Sequence, residues 1–523
     1  MNQDTFVVTP VGDYLSRLTD ESAMRLESSL GSAKEGRTLD LVTPIIGRSS
    51  DNYAERRAYF RDWLLPKTRT RFEELNNAEL NQSEKMGPYS IQLPWHERRD
   101  NLLAYYSRGD ISIDYARLQE AIDVVSTRLP SQLVPKTTLT AYHHMPKNTN
   151  LGAPWFTSNK EYLPLVLRKA QEVERRGFPN LGDPCIVFWR GQPTGLGTVP
   201  KQRTIWGYPH YITIHELRLQ MAFFEWAVND EVFSAWVSSD AVDKVITNVI
   251  ASKSGNILSV DFSGFDASVP PVLVRAAFEL LRRMFTKGSD KLISYVEELF
   301  LTIPIATPDG IYHGFHGIPS GSGLTNWIGI LIQMLLAEYT GMLIELAQGD
   351  DGVWRSLDPW NPDDIADTIK TFGMKLNVDK GLVSEDTVSF LQNIHMREYL
   401  IDELNVGVRP LERILNGMLS YEHMNSSWSS VDDTIRWIQQ CQAGKRHPRF
   451  KILVEFLFKS DKLLKSGKSL KSLLESGGGI EKIASDLKQS SFSYGKEPLS
   501  KLEQFETVKE LRSLGAFKRG ASR

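Results

Sequence analysis

The chain has 523 residues, 41% hydrophobic and 24% charged, with 61 Lys and Arg against 64 Asp and Glu and a formal net charge of -3. That composition excludes wholesale disorder and a small binding module, and the length predicts several subdomains, since single cores rarely grow past about 300 residues. A near-neutral balance excludes indiscriminate adhesion to nucleic acid, so any such contact would have to come from a basic channel whose charge is offset elsewhere.

Met1-Asn2-Gln3-Asp4 lacks a basic region followed by an apolar core, and no signal peptide is expected. In the first ninety or so residues, Arg56, Arg57, Arg61, Lys67, Arg69 and Arg71 alternate with Tyr59, Phe60, Trp63 and Phe72. This reads as a helix surface with snorkelling basic stems rather than a stacking platform for RNA. Helices separated by turns follow from Ile91 to about Gly182, with a loop at Asn148 to Pro154 marked by Gly152 and Pro154. Between Asp183 and Glu216 there is no acidic residue, while Arg190, Lys201 and Arg203 surround the turn-rich stretch Gly191 to Gly197. Cations unopposed by local acids suit a phosphate partner, with an exposed, solubilising hairpin as the bland alternative.

His210 to Val237 reads as one long apolar helix and Pro270 to Phe285 as another. Between them, Ile257 to Val260 is a buried strand ending abruptly in Asp261, and Gly264 lets the chain bend so that Asp266 is set deeper. His313 and His316 are expected to be loop residues, not ligands, and the two cysteines, Cys185 and Cys441, predict neither a disulfide nor a zinc site. The small, hydroxyl-rich run Ser320-Gly321-Ser322-Gly323-Leu324-Thr325 precedes an apolar helix that Ser320 or Thr325 could cap. Trp327 to Leu346 is long enough to span a membrane, but Gln333, Glu338 and Glu345 interrupt it and Gly341 splits it, so helix, turn, strand is predicted.

Gly349-Asp350-Asp351-Gly352 then forms a tight turn between two apolar strands. Alone, an acidic Asp-Gly turn is usually just solvated. Two adjacent carboxylates repel unless a cation lies between them, however, and a neighbouring strand delivering Asp261 would make three. Three such groups suit two hard cations about 4 Å apart that clamp the attacking and leaving oxygens of an in-line displacement, which is nucleotidyl transfer. Past residue 400 the pattern is helical, with a polar loop from Ser426 to Ser430 around Trp428, which is read as a buried aromatic. Lys459, Lys462, Lys465, Lys468 and Lys471 predict an amphipathic helix with a basic face, broken at Gly477-Gly478-Gly479. From Leu511 onward Arg512, Lys518, Arg519 and Arg523 stand without an acid.

Asp261-x4-Asp266, then Ser320 to Thr325, then Gly349-Asp350-Asp351, in this order, resemble motifs A, B and C of viral RNA-dependent RNA polymerases. Ile318-Pro319-Ser320-Gly321-Ser322 with Thr325-Asn326 is most similar to the picobirnavirus enzymes and next to those of partitiviruses. The resemblance implies an α+β closed right hand with an antiparallel palm sheet. Its parts would be an N-terminal extension bridging fingers and thumb (1–90), fingers (91–255 and 271–312), palm (256–270 with motif A, 313–400 with motifs B to E), and thumb with tail (401–523). It implies template-directed RNA synthesis from NTPs, started without a primer, for replication and transcription of a double-stranded RNA virus.

The metal ligands would be Asp261 and Asp350, assisted by Asp351, holding two Mg2+, with Mn2+ as a potential substitute. Asn148 to Pro154 resembles the template-guiding motif G. Lys201-x-Arg203-x-Ile205 resembles motif F, so Arg190, Lys201 and Arg203 would line the nucleotide path and hold the triphosphate. Asp266 would read the ribose 2'-hydroxyl together with Ser320, Thr325 or Asn326. Many relatives carry an asparagine four residues after the motif B threonine, whereas Gly329 stands there and Asn326 follows Thr325 directly, so Asn326 is chosen. Phe372 to Lys380 resembles motif D, with Lys380 rather than Lys375 protonating the leaving pyrophosphate, and Ser389 to Asn393 resembles motif E. Implied partners are RNA template and product, NTPs and, as a candidate, capsid protein, with no membrane, in the virion interior and host cytoplasm. The rivals are a reverse transcriptase and an RNA-binding structural protein whose acidic turn is inert.

Overall fold

The computed structural model describes residues 6–37, 57–58, 67, 69–107, 109–195, 198–252, 256–377, 381–421, 428–487 and 497–517. Lys380, the stretch 59–66 with Tyr59, Phe60, Arg61 and Trp63, Arg56, and the tail residues Lys518, Arg519 and Arg523 lie outside them. The chain divides into two compact units: 1–36, 93–189 and 203–391 form the first, and 37–92, 190–202 and 392–523 the second.

Two sheets organise the first unit. One has strand order β1-β6-β5-β2-β3, with β1 Phe6–Thr9, β2 Cys185–Gln192, β3 Lys201–Gly207, β5 Ile305–Thr307 and β6 Gly310–Gly314. The other, in order β7-β8-β4-β9, is antiparallel throughout and comprises β4 Ile257–Val260, β7 Leu343–Gln348, β8 Asp351–Arg355 and β9 Leu382–Ser384. All four residues of β4 are buried between its two neighbours, and its one polar side chain, Ser259, accepts the Ser389 N–H at 2.9 Å. Gln348 pairs with Asp351 across a two-residue turn, and Gly349, at φ +63°, supplies the left-handed backbone such a turn requires.

The helix Thr325–Thr340 ends at left-handed Gly341, and the chain returns as β7, as predicted for this stretch. It is buried from Trp327 through Ala337, the signature of a central core helix. Trp327 sits in an aromatic nest, with Trp236 stacked at 4.9 Å and Phe223 at 4.5 Å between ring centroids.

Two helix expectations need correction here. The long helix stops at Ala227, and Glu231–Trp236 forms a separate 3-10 turn because Asp230 caps it by accepting the Val232 N–H at 3.0 Å. Neither Ser320 nor Thr325 caps the helix Thr325–Thr340; the N-cap position is Leu324, whose own N–H goes to Ser322 Oγ at 3.0 Å.

The second unit is helical, packed around Trp437, Leu453, Leu457 and Phe505. Glu79, on the helix Glu73–Glu84, accepts the N–H groups of Leu411 and Glu412 at 2.7 and 2.9 Å, so a distant carboxylate satisfies the start of the helix Leu411–Leu419. Trp428 Nε1 donates to the Asp486 carbonyl at 2.7 Å and its ring packs edge-on against Tyr421, so the aromatic is engaged within the fold. The continuous basic helix is not formed. Phe450–Ser460 ends at buried Asp461, which accepts the Leu463 N–H, Gly467 adopts φ +75°, and helix resumes only at Leu470–Ser476. No helix among the described residues is long and apolar enough to cross a membrane.

The loop 318–324 is braced from two sides. Ser320 Oγ donates to the Thr204 carbonyl at 3.0 Å, and a Cβ on Gly321 would land on the Trp206 carbonyl oxygen, so β3 backs the loop directly. From the helix His210–Ala227, Glu216 accepts Ser322 Oγ–H at 2.5 Å and the Gly323 N–H at 2.8 Å. Burial pushes the Glu216 carboxyl up to about 7, against the two hydrogen bonds that pull it down. Raised above its unfolded value, this group gives its full stability below about pH 4.5 and loses it as the pH climbs through 7, a loss of roughly 3 kcal/mol. Glu216→Gln, which mimics the protonated acid, is therefore expected to gain a few degrees in melting temperature over the native protein between pH 5 and pH 8, read by calorimetry at matched pH. A difference that does not change with pH would contradict the assignment.

Candidate active site

Val260 of β4 pairs with Gly352 of β8, so Asp261, the next residue, emerges beside the turn that carries Asp350 and leads into Asp351. Asp350 is exposed at the tip, while Asp261 and Asp351 are half-buried. Asp261 is fixed at both ends: its carbonyl accepts the Asn377 N–H at 2.9 Å and its Oδ2 accepts Asn377 Nδ2 at 2.9 Å. The strand thus continues past its last ladder pair, with Phe262 bridging Leu376 and Ser263 N–H reaching the Lys375 carbonyl.

Gly264, left-handed at φ +60°, opens the short helix Phe265–Ser268 that carries Asp266, the bend expected from the sequence. Arg203 Nη2 lies 3.8 Å from Asp266 Oδ2. Burial pushes Asp266 up to about 6, the charge of Asp350 adds to the rise, and Arg203 opposes it. Tyr105 shares this corner: its hydroxyl meets Ser320, and burial, then the charge of Asp266, raises it above the usual phenol range while Arg203 pulls the other way. The Ile318 N–H donates to the Asp266 carbonyl at 2.6 Å, which seats the 318–324 loop on the Asp266 turn.

The helix Thr325–Thr340 turns one stripe, Asn326, Gly329 and Gln333, toward the acidic turn. A Cβ on Gly329 would lie 3.2 Å from Gly349 Cα, and one on Gly349 would lie 3.1 Å from Asn326 Oδ1. A side chain at 329 would press on the backbone of the turn at Gly349. Gln333 Nε2 donates to the carbonyls of Gly349 at 2.7 Å and Asp351 at 3.1 Å, and its Oε1 accepts Trp354 Nε1–H at 3.1 Å. A Cβ on Gly352 would strike Gln333 Oε1, so the glycine after the acidic pair makes room for this amide.

Asp261, Asp266, Arg203, Ser320, Thr325, Asn326, Asp350 and Asp351 all belong to the first unit. The single Thr325 Oγ1 hydrogen is shared between the Pro319 and Ser322 carbonyls, and Asn326 packs against Gly349. Arg190 and Lys201 lie on the part of the β2–β3 hairpin that belongs to the second unit. His313 is a strand residue rather than the loop residue expected, pairing with Thr9 Oγ1 at 2.9 Å from within β6, and His316 lies tilted against Trp206 with ring centroids 4.3 Å apart.

Sequence reasoning missed Gln333, Asn377, Tyr105 and Glu216. The available signal was faint: Gln333 and Glu216 are polar residues inside apolar helical runs, and Gln333 follows Asn326 by two turns on one helix face. Among the described residues, no group of three or more His, Cys, Asp or Glu is gathered as a preformed metal cage. Carboxylates at neighbouring strand ends fit magnesium nevertheless, because that ion takes one or two carboxylates and completes its shell with water and substrate phosphate.

A family model for viral RNA-dependent RNA polymerase matches residues 123–442. Over 452 residues the chain is 27% identical to a potential RNA-dependent RNA polymerase of a human picobirnavirus (strain Human/Thailand/Hy005102/-), covering 82% of this chain and 84% of the relative. It is 26% identical over 254 residues to the RNA-directed RNA polymerase of Cryptosporidium parvum virus 1 (strain KSU-1), covering 43% and 45%. The crystal structure of a human picobirnavirus RNA-dependent RNA polymerase superposes with a TM-score of 0.77 at 23% identity, covering 94% of this chain and 96% of that one, which establishes the right-hand polymerase fold. The chain belongs to the family of viral RNA-dependent RNA polymerases.

Proposed function

We propose that the acidic turn and the end of β4 form the catalytic centre of template-directed RNA synthesis, with Asp261 and Asp350 as the principal ligands of two Mg2+ ions and Asp351 assisting. The observation that carries this reading is the pairing of Val260 with Gly352, which sets carboxylates from two adjacent strands at one sheet end. When bound, such ions lower the charge on the triphosphate and activate the attacking 3'-hydroxyl. The chain's own contribution is placement. Asn377 orients Asp261, and the two-residue turn presents Asp350 to solvent, where a triphosphate arrives.

Arg203, beside Asp266, is suited to meet phosphate oxygens; Arg190 and Lys201 keep a triphosphate-binding role only through their resemblance to motif F. Asp266 is assigned to the ribose 2'-hydroxyl. Arg203 and Tyr105 flank it, and Ser320 meets the Tyr105 hydroxyl, which favours Ser320 as the motif B group on the same sugar over Thr325 and over Asn326, the residue preferred from the sequence, which packs against Gly349 instead. Lys380 remains the assigned proton donor to pyrophosphate. On this reading the palm comprises 256–270 and 313–400, the fingers 91–255 and 271–312, and the thumb 401–523. Primer-independent synthesis for a double-stranded RNA virus, inside a particle and in the host cytoplasm with capsid protein as a partner, extends the reading by kinship with the picobirnavirus enzyme.

Labelled-NTP incorporation on a single-stranded RNA template, with Mg2+ and no primer, tests the centre. Asp350→Ala is expected to cut turnover by at least about 10²–10³, and chelation by EDTA to abolish it reversibly. A variant with native turnover would overturn the assignment. Asp266→Ala is expected to narrow the preference for NTP over dNTP by about tenfold or more, since a site built to bond a hydroxyl discriminates by leaving its own polar groups unpaired. An unchanged ratio of kcat/KM values would remove Asp266 from sugar selection.

A further inference from the structure

Gln333 is fully buried on a helix that is apolar around it. A satisfied amide in a core is common, and a leucine would fill the same space at less desolvation cost. What sets this one apart is where its bonds go. Both donor contacts are to main-chain carbonyls of the acidic turn, at Gly349 and Asp351, and its acceptor takes the indole N–H of Trp354 on the strand that leaves the turn. The carbonyls need a donor and the indole needs an acceptor, so only one orientation of the amide serves all three. The glycines on both sides of this contact, Gly329 and Gly352, are positions where a Cβ would press on Gly349 or on Gln333 itself.

We propose that Gln333 is a positioning residue for the catalytic turn, fixing Asp350 and Asp351 relative to Asp261 and so setting the affinity of the site for divalent cations. This rests on the reading of Asp350 as a metal ligand. Gln333 touches neither nucleotide nor metal. It holds the backbone from which two mutually repelling carboxylates project, and without it the turn can relax so that the acids separate.

The test uses the full chain and a neutral side chain of similar length, Gln333→Met, with Asp350→Ala in parallel. Mn2+ binding is measured by electron paramagnetic resonance without nucleotide, the Mg2+ dependence of NTP incorporation is recorded, and kcat and KM for NTP are separated at saturating metal. Gln333→Met is expected to weaken Mn2+ binding by about tenfold and to move half-saturation by Mg2+ upward by a similar factor, with KM for NTP unchanged once metal saturates. Native Mn2+ affinity and an unmoved Mg2+ midpoint would overturn the proposal, even if activity fell, because a merely structural lesion reduces the active fraction without moving a midpoint. Should the methionine variant fail to fold, Gln333→Asn keeps an amide but shortens its reach; weakened Mn2+ binding in that variant supports the positioning role, and native binding overturns it. If Asp350→Ala abolishes incorporation while Gln333 variants bind metal normally, only the positioning role fails. If Asp350→Ala binds Mn2+ and incorporates NTP as the native protein does, the metal-ligand reading itself fails.

Discussion

Adjacent carboxylates at the tip of a two-residue turn repel each other, and a third at the end of the next strand adds to the repulsion. The rest of the first unit can be understood as the means of holding that arrangement still. The turn is gripped by hydrogen bonds from a helix packed so closely that glycine stands on both sides of the contact, at 329 and 349. Gln333 donates to two main-chain carbonyls of the turn at once and so specifies the approach of helix and turn. Asp261 is held independently through Asn377, which ties motif A to the strand-like segment ahead of Val378.

The same helix begins in the loop that faces Asp266, which couples the two halves of the site through one rigid element. That loop is clamped between β3, through Ser320 and Gly321, and the helix His210–Ala227, through Glu216. Asp266 is in turn bonded by the loop's Ile318 N–H and faces Arg203 on β3. Asp266 and the acidic turn therefore share backbone supports rather than relying on long, flexible side chains. Such support is what a site acting through preorganised charge needs.

Much of this was legible in the sequence because it depends on short-range chemistry. The buried strand leading to Asp261, the bend at Gly264, the turn at Gly349 and the helix–turn–strand passage through Gly341 all follow from local patterns, and the structure has each of them, although the extended chain runs on past Asp261 to bridge Leu376 at Phe262. The features that escaped detection are long-range. Glu216 and Ser322 are far apart in sequence and meet only in the fold, as do Asn377 and Asp261, and Glu79 and the start of Leu411–Leu419. Periodicity misled where a single polar residue outweighed an apolar or basic pattern, as where Asp230 starts a separate 3-10 turn and Asp461 stands at the end of Phe450–Ser460. At Gly329 the sequence showed only the absence of an asparagine, whereas the close approach of this helix position to Gly349 is visible only in the fold.

Diffraction at the manganese edge, from crystals of the protein holding Mn2+ and a non-hydrolysable NTP, tests the two-carboxylate metal centre most directly. Anomalous peaks are expected within roughly 2.0–2.5 Å of carboxylate oxygens of both Asp261 and Asp350, with the triphosphate completing the coordination. Peaks that engage neither residue, or an NTP bound with its metal elsewhere, would contradict it.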